Sequence, residues 1–264
     1  MLPFYVAVAR TAFRRQLIYR WANVAGLLTN VFFGAIFSYV VIALYHARHS
    51  AGGYGLTDTL RYIWLVQSMI MPVLPFGWFD LMLTIRTGEV VSDLGKPCDF
   101  YWYWFSREVG RDLYYVLFRG LPTYLLGMLL FGFGAPSAPG QWLLYAGSLT
   151  LGAALGIAYR FLYNIVAFWI VEGRAAGGMA AQAALFFTGA IVPLAFFPPW
   201  LHAIADWLPF NGLMNVPAEV FLGKATGGGL AFDLARQGAW VVLLTLGARA
   251  ITGAATRRVI VQGG

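Results

Sequence analysis

The sequence predicts an all-α integral membrane protein with six transmembrane helices. Of its 264 residues, 60% are hydrophobic and only 11% are charged, whereas soluble domains carry about 25% charged residues. Long apolar segments follow one another with short connections, so we expect residues 1–264 to form a single transmembrane domain. The net charge of +7 indicates cytoplasmic flanks and contact with anionic membrane lipids rather than with nucleic acid.

The chain begins with a basic amphipathic helix that is followed by two predicted spans. In Phe4–Arg20, apolar residues at helical spacing alternate with arginines, which predicts a helix at the inner membrane interface. Asn23–Tyr45 is almost wholly apolar and long enough to cross a hydrocarbon core of about 30 Å. Leu60–Leu83 is the second predicted span, and Pro72 and Pro75 should bend it.

A charged and aromatic segment, Thr84–Arg111, stands out from the apolar sequence around it. Its charges require contact with water, and Gly88 and Pro97 divide it into shorter pieces. Glu89–Leu94 is predicted to form a short helix of its own, suited to docking a partner against the membrane face. A merely solvated loop is the alternative interpretation.

Three further spans follow the charged segment. Phe100–Tyr115 is predicted to begin a long third span that continues to about Phe133. Trp142–Val171 is the fourth span, and Ala175–Phe197 the fifth. The fifth consists largely of Ala, Gly and Phe, and its small residues favour close packing of helices.

The apolar pattern is interrupted between the fifth and sixth spans. Pro198–Gly229 contains four prolines and two short apolar pieces, Trp200–Leu208 and Asn215–Leu222, that are too brief to cross a bilayer. They predict an outer re-entrant helical hairpin. Leu230–Ala255 is the sixth predicted span.

The distribution of Lys and Arg predicts that both termini are cytoplasmic, because positive residues concentrate in cytoplasmic loops. Arg48 and Lys224 are the clear positive residues assigned to the outer side. The positive residues assigned to the cytoplasmic side are Arg10, Arg14, Arg15, Arg20, Arg86, Lys96, Arg107, Arg111, Arg174, Arg257 and Arg258.

Among the charged residues within predicted spans, we single out Arg119, Arg160 and Asp80 for a physical explanation, since charge in lipid is costly. Arg160 lies twelve residues before Glu172, which places it roughly 18 Å above the inner end of its helix, near the midplane. It could contact an amphipathic or anionic substrate. We favour a structural role, in which it pairs with Asp80 or with a backbone carbonyl.

Known catalytic signatures are missing from the sequence. It contains no phosphate-binding loop, no His-Glu-x-x-His zinc pair and no Gly-x-Ser-x-Gly elbow. We therefore predict no catalytic, metal-binding or cofactor-binding residue in this chain, and any ATP hydrolysis would require another subunit.

Two stretches carry a resemblance to a known family. RTGEVVSDLGKPCDFYWYW follows the second predicted span, and PLAFFPPWLHAIADWLPFNGLMNVPAEVFLGK precedes the last one. With these stretches in their places, the whole chain resembles the permease subunits of type-2 ATP-binding-cassette (ABC) exporters, in a branch whose substrates are mostly uncharacterised.

The resemblance implies partners and residue roles. Such a permease pairs with a second permease, identical or homologous, and with two cytosolic ATPase subunits that bind the ATP and Mg. Substrate would pass between the permeases, lined by their first, second and fifth spans. The implied ATPase-docking residues, within Arg86–Lys96, are Arg86, Glu89, Asp93 and Lys96; the implied outer gate, within Pro198–Gly223, includes Pro198, Pro199, Trp200, Pro209 and Phe210.

The sequence hypothesis is thus a multi-pass permease of the inner (cytoplasmic) cell membrane that exports a hydrophobic or amphipathic small molecule or lipid. Two alternatives remain open at this point. One is a membrane-embedded lipid-modifying enzyme, against which the lack of clustered His, Asp or Glu argues. The other is an ATP-independent channel-like or structural membrane protein.

Overall fold

The computed structural model describes residues 1–47, 50–74, 78–170 and 173–257, and these residues are almost entirely helical. Arg48, Pro75, Glu172 and Arg258, which the sequence interpretation used, lie outside them. The helices are α1 (Leu2–Ile18), α2 (Arg20–Ala47), α3 (Leu56–Val73), α4 (Asp80–Arg86), α5 (Val90–Leu94), α6 (Phe100–Tyr115), α7 (Leu121–Phe131), α8 (Pro139–Ile165), α9 (Gly173–Phe187), α10 (Pro199–Trp207), α11 (Asn211–Leu222) and α12 (Gly227–Thr256).

Four helical segments in the described ranges are long and apolar enough to cross a membrane. They are Arg20–Ala47, Phe100–Phe131, Pro139–Phe168 and Gly227–Thr256. They correspond to the first, third, fourth and sixth predicted spans, which confirms an all-helical membrane protein. The segment Phe100–Phe131 joins α6 to α7 through a π-helical turn, Val116–Gly120.

The second predicted span is two helices rather than one bent helix. It begins earlier than predicted, as α3, and α3 ends at Val73 because Leu74 adopts an extended conformation. Pro72, inside the last turn of α3, lacks the N–H that would bond to the preceding turn. The next helix of the described chain, α4, begins at Asp80.

The fifth predicted span is also shorter than expected. Helix α9 has 15 residues, a length of about 22 Å against a hydrocarbon core of about 30 Å. Gly189 follows the helix with a φ of 79°, a conformation that favours glycine and interrupts helical structure. A short 3₁₀ turn, Leu194–Phe196, then leads to the predicted hairpin.

The segment predicted as an outer hairpin contains two short helices, α10 and α11. Its second helix begins at Asn211 rather than Asn215, and most of it is buried. It packs against α3, α8 and α12. The side chain of Gln237 on α12 donates to the Gly212 carbonyl at 2.6 Å, and that of Gln141 on α8 donates to the Phe221 carbonyl at 2.8 Å. Helix α11 is therefore part of the core.

Helices α1 and α2 follow one another along the length of α6 and α7. The Asp99 backbone N–H donates to the Tyr5 hydroxyl at 3.2 Å, and Asn23 donates to the Phe118 carbonyl at 3.0 Å. Helix α1, the predicted amphipathic helix, has no fully buried residue. It is nevertheless close to α6, because a Cβ at Gly110 would collide with the carbonyl of Ala9.

Trp64 occupies the centre of the packing between α2, α3 and α7. It is fully buried, and its Nε1 donates to Ser38 Oγ at 3.0 Å. Gly34 on α2 and Gly127 on α7 make room for the indole ring, since a Cβ at either position would press against it. Small residues thus set the spacing of these three helices.

The close contact between α1 and α6 predicts that adding one methyl group at Gly110 lowers the stability of the protein. Gly110→Ala should destabilise the protein by about 1–3 kcal/mol, because the new Cβ meets backbone and the helices must separate. Thermal unfolding in detergent micelles measures the change. Gly147→Ala on α8 is the control: its Cβ would enter open space, and it should stabilise the helix by about 0.5–1 kcal/mol. Equal stability of the two variants would contradict the close contact.

Candidate functional site

The segment that is predicted to dock a partner contains the five-residue helix α5. Gly88, with a φ of 79°, lets the chain turn between α4 and α5. Val90 is buried and belongs to a cluster with Leu81 and Phe100, which holds one side of α5 against the bundle. The other side remains accessible. We call this extremity of the molecule the α5 end, and the opposite one, which carries α10 and α11, the hairpin end.

The four predicted docking residues fall into two groups. Arg86 and Glu89 are exposed at the surface of the α5 end. Asp93 is buried and forms an ion pair with Lys96, whose ammonium also donates to the Tyr103 hydroxyl at 2.9 Å. Desolvation acts to lower the pKa of Lys96, but these bonds to Asp93 and Tyr103 outweigh it and raise that pKa above its ordinary value. Asp93 and Lys96 therefore brace the loop from within.

A network of four charges, three of them buried, connects α6 to α8 at the α5 end. Arg160 Nη2 lies 2.5 Å from Asp112 Oδ2, and Arg160 Nε lies 3.0 Å from Glu108 Oε2. Arg111 pairs with Glu108 and lies 3.5 Å from Asp112. The residues Arg160, Arg111 and Asp112 are 2%, 4% and 4% exposed. Two positive and two negative groups balance one another, so the network is neutral as a whole.

The structure corrects the sequence interpretation of Arg160. Its ionic partners are Glu108 and Asp112, not Asp80, which is exposed at the start of α4. It lies five residues before the end of α8, about 8 Å from that end. The expected backbone contact is present, since Nη1 approaches the Leu74 carbonyl at 3.5 Å.

Side chains of α8 and α6 also hold the break between α3 and α4. The Tyr163 hydroxyl and the Asn164 amide donate to the Trp78 carbonyl at 3.0 and 2.9 Å. Asn164 Oδ1 accepts from the Met82 backbone N–H at 3.1 Å, inside α4. The Arg111 guanidinium lies 3.9 Å from the centroid of the Trp78 ring, a cation–π contact. The break is thus fixed to the charge network.

Sequence reasoning placed Glu108, Arg111 and Asp112 in a charged segment that contacts water, and it assigned no role to Tyr163 or Asn164. That expectation is wrong for Arg111 and Asp112, which are buried. One signal for Glu108 and Asp112 was available. Glu108 and Asp112 are four residues apart, so they share a face of α6. A pair of acids on one face of a spanning helix requires a basic partner on a neighbouring helix.

Arg119 has a structural environment of its own. It lies in the π-helical turn, where Gly26 makes room for its guanidinium. Its Nη2 donates to Asn30 Oδ1 at 2.8 Å, and Asn30 Nδ2 donates to the Gln67 carbonyl at 2.9 Å. These bonds connect the π-helical turn, α2 and α3 through polar groups.

An apolar groove of about 300 Å³ lies towards the hairpin end, between α2, α3 and the chain that follows α9. Its polar lining residues are Thr59, Tyr62 and Gln67, and no charged side chain belongs to the lining found among the described residues. The remaining lining residues are Phe37, Val40, Val41, Leu44, Ile63, Val66, Gly189, Ala190, Ile191, Val192, Pro193 and Phe196.

The residues of the predicted gate are distributed along the hairpin. Pro198, Pro199 and Trp200 are exposed where α10 begins. Pro209 and Phe210 are half-buried at the turn before α11, where the Phe210 ring lies 5.1 Å from that of Tyr159 on α8. The hairpin therefore reaches inward to the residue next to Arg160.

A chain of hydrogen bonds connects the hairpin to the wall of the groove. Asn211 donates to Asp206 at 2.8 Å, and Asn215 donates to Asn211 at 3.1 Å. The Tyr62 hydroxyl lies 3.0 Å from both Asn215 Oδ1 and the Gly189 carbonyl. A movement of the hairpin would therefore act on α3 and on the segment after α9.

Comparison with known proteins identifies the family. A family model described as "ABC-2 family transporter protein" matches residues 30–262. The match spans the chain from within α2 to beyond α12, so it includes the charge network, α5, the groove and the hairpin. No curated protein matches the sequence. The chain belongs to the ABC-2 transporter family and is a membrane permease component of an ABC transporter.

Proposed function

We propose that this permease exports a hydrophobic or amphipathic small molecule or lipid through the groove between α2, α3 and the segment after α9. The observation that supports this proposal is the almost wholly apolar wall of the groove. Its volume lies at the lower end of the range for ligand pockets, roughly 300–1,000 Å³. Its walls belong to the first, second and fifth predicted spans, through which the family resemblance routes substrate.

The proposed power source is a pair of cytosolic ATPase subunits that bind ATP and Mg and dock against α5. Binding of ATP can drive the permease only if it interacts differently with two arrangements of the chain. Rigid-body displacement of α5 would supply that difference. It would be transmitted to α8 through Asn164 and to α6 through the bond between Lys96 and Tyr103.

The proposed assembly contains a second permease, identical or homologous. Helix α2 buries only a narrow stripe, Asn30, Gly34, Ser38 and Tyr45, and exposes many large apolar side chains. That exposed surface suits lipid or the second permease. In this assembly α3 with α4, and α9 with the chain after it, complete six passes in the inner membrane, with both termini cytoplasmic.

Charge reversal at Glu89 tests the docking proposal. The tagged full-length chain is purified from its native membranes in mild detergent, and the ATPase activity that accompanies it is measured per permease. Glu89→Lys should reduce this activity roughly tenfold, because an exposed docking charge is inverted while the fold is retained. Glu89 is a cleaner probe than Asp93, whose reversal would also break the pair with Lys96.

Lys224→Gln is the matched control, since Lys224 is an exposed charge at the hairpin end, the opposite extremity from α5. It should leave the accompanying ATPase activity unchanged. An undiminished ATPase activity with Glu89→Lys, or an equal loss with Lys224→Gln, would count against docking at α5. If no ATPase accompanies the unmodified chain, the proposed power source is wrong.

The charge network predicts strong coupling between Arg160 and Asp112. Arg160→Met should destabilise the protein by about 3–5 kcal/mol, because it leaves an excess of buried negative charge. Adding Asp112→Asn should restore part of that stability, since Glu108 and Arg111 then remain as a balanced pair. A double-mutant cycle of unfolding in detergent measures the coupling. Additive effects of the two substitutions would show that the network does not act as a unit.

A further inference from the structure

We propose that Gln67 selects the substrate, and that the groove takes an uncharged amphipathic molecule bearing a hydrogen-bonding group such as an amide or hydroxyl. This inference rests on the proposed function and defines its substrate class more narrowly. Gln67 lies on the face of α3 that lines the groove, together with Thr59, Ile63 and Val66.

The carboxamide of Gln67 has no hydrogen-bond partner in the described structure, and the little surface that the residue exposes lies in the lining of the groove. The residue is 5% exposed, and within the described structure its side chain makes no hydrogen bond. The two other polar residues of the lining are satisfied by the protein itself. Thr59 bonds to Tyr45 at 2.8 Å and to the Gly55 carbonyl at 3.0 Å, and Tyr62 bonds to Gly189 and Asn215. Gln67 alone presents unused donors and an acceptor to the groove.

An unpartnered buried amide has an energetic cost that calls for an explanation. Leaving such a group unsatisfied costs about 1–3 kcal/mol, and most buried polar side chains in proteins are bonded. A leucine or methionine at this position would complete the apolar wall without that cost. A ligand that bonds to the carboxamide recovers the cost on binding, and therefore binds more tightly than its hydrocarbon counterpart.

The backbone of Gln67 is held in place from the opposite side. Asn30 donates to the Gln67 carbonyl, and Arg119 in turn fixes Asn30. The next residue, Ser68, is also confined, because a Cβ at Gly120 would press on its carbonyl oxygen. The carboxamide is therefore carried by a rigid element, which reduces the ordering cost of binding.

The other residues that line the groove determine which further chemical groups the ligand can carry. Because no charged side chain lines the groove, a carboxylate, phosphate or ammonium group would lose its hydration without gaining a counter-ion. Such ligands are excluded. An amide offers both donor and acceptor, so a hydroxyl, amide or carbonyl on an apolar body fits both the polar residue and the wall.

Four probes of similar shape test this selectivity. The full-length chain in phosphatidylcholine nanodiscs is titrated with pyrenebutanamide, pentylpyrene, pyrenebutanoate and pyrenebutylammonium, and saturable binding is corrected for partition into empty discs. Pyrenebutanamide should bind about tenfold more tightly than pentylpyrene, and the two charged probes more weakly still. This comparison needs no substitution, so it does not depend on the folding of a variant.

Gln67→Met removes the carboxamide while nearly conserving side-chain volume. It should lower the affinity for pyrenebutanamide about tenfold, to that for pentylpyrene, which itself stays unchanged. Gln182→Met, at an exposed position on α9, is the matched control and should leave both affinities unchanged. Displacement of pyrenebutanamide by dioleoylglycerol would identify a neutral lipid as a source of the hydrogen-bonding group, and lack of displacement would identify a non-lipid molecule.

Two results would overturn the inference, and they can be told apart from failure of the proposed function. If pyrenebutanamide and pentylpyrene bind equally well to the unmodified chain, or if a charged probe binds more tightly, Gln67 does not select the substrate. The proposal that the apolar groove binds substrate would still stand. Absence of saturable binding by all four probes would remove both the role of Gln67 and the groove as a substrate site. Docking of the ATPase at α5 is measured independently of either.

Discussion

The buried network of Arg160, Glu108, Asp112 and Arg111 is the interaction on which the rest of the structure depends. Burying charges costs more than their attraction returns unless every group is paired. If one of these side chains moved out of the network, an uncompensated buried charge would remain. The network therefore permits only a few relative positions of α6 and α8. The break after α3 is tied to the same positions through Leu74 and Trp78.

Helix α8 extends this constraint to the hairpin end. Gly152 and Gly156 have no room for a Cβ beside the carbonyls of Leu213 and Val73, so α11 and α3 pack directly on the α8 backbone. Arg160 is one turn further along the same helix. The charged end and the hairpin are therefore attached to one element, and α8 can carry displacement between them as a rigid body.

The sequence predicted the four long apolar helices, because each depends on local composition and length. It did not predict the break at Leu74 or the end of α9 at Phe187, which depend on how neighbouring helices satisfy the interrupted backbone. The ionic partners of buried charged residues were harder still to predict. Asp80 was chosen for Arg160 by proximity within the predicted topology, whereas Asp112 and Glu108 are buried against it by the packing of α6 on α8.

Helix α3 connects the proposed ATPase-docking site at α5 to the proposed substrate site in the groove. Gln67 lines the groove seven residues before Leu74, a separation of about 10 Å along the helix. Displacement of α5 and α4 acts on the break after Leu74, and α3 is a continuous helix from Gln67 to Val73. The same displacement would therefore shift the carboxamide relative to α2 and the segment after α9. A ligand bonded to Gln67 would bind the two arrangements with different affinity, which is the condition for coupling its release to ATP.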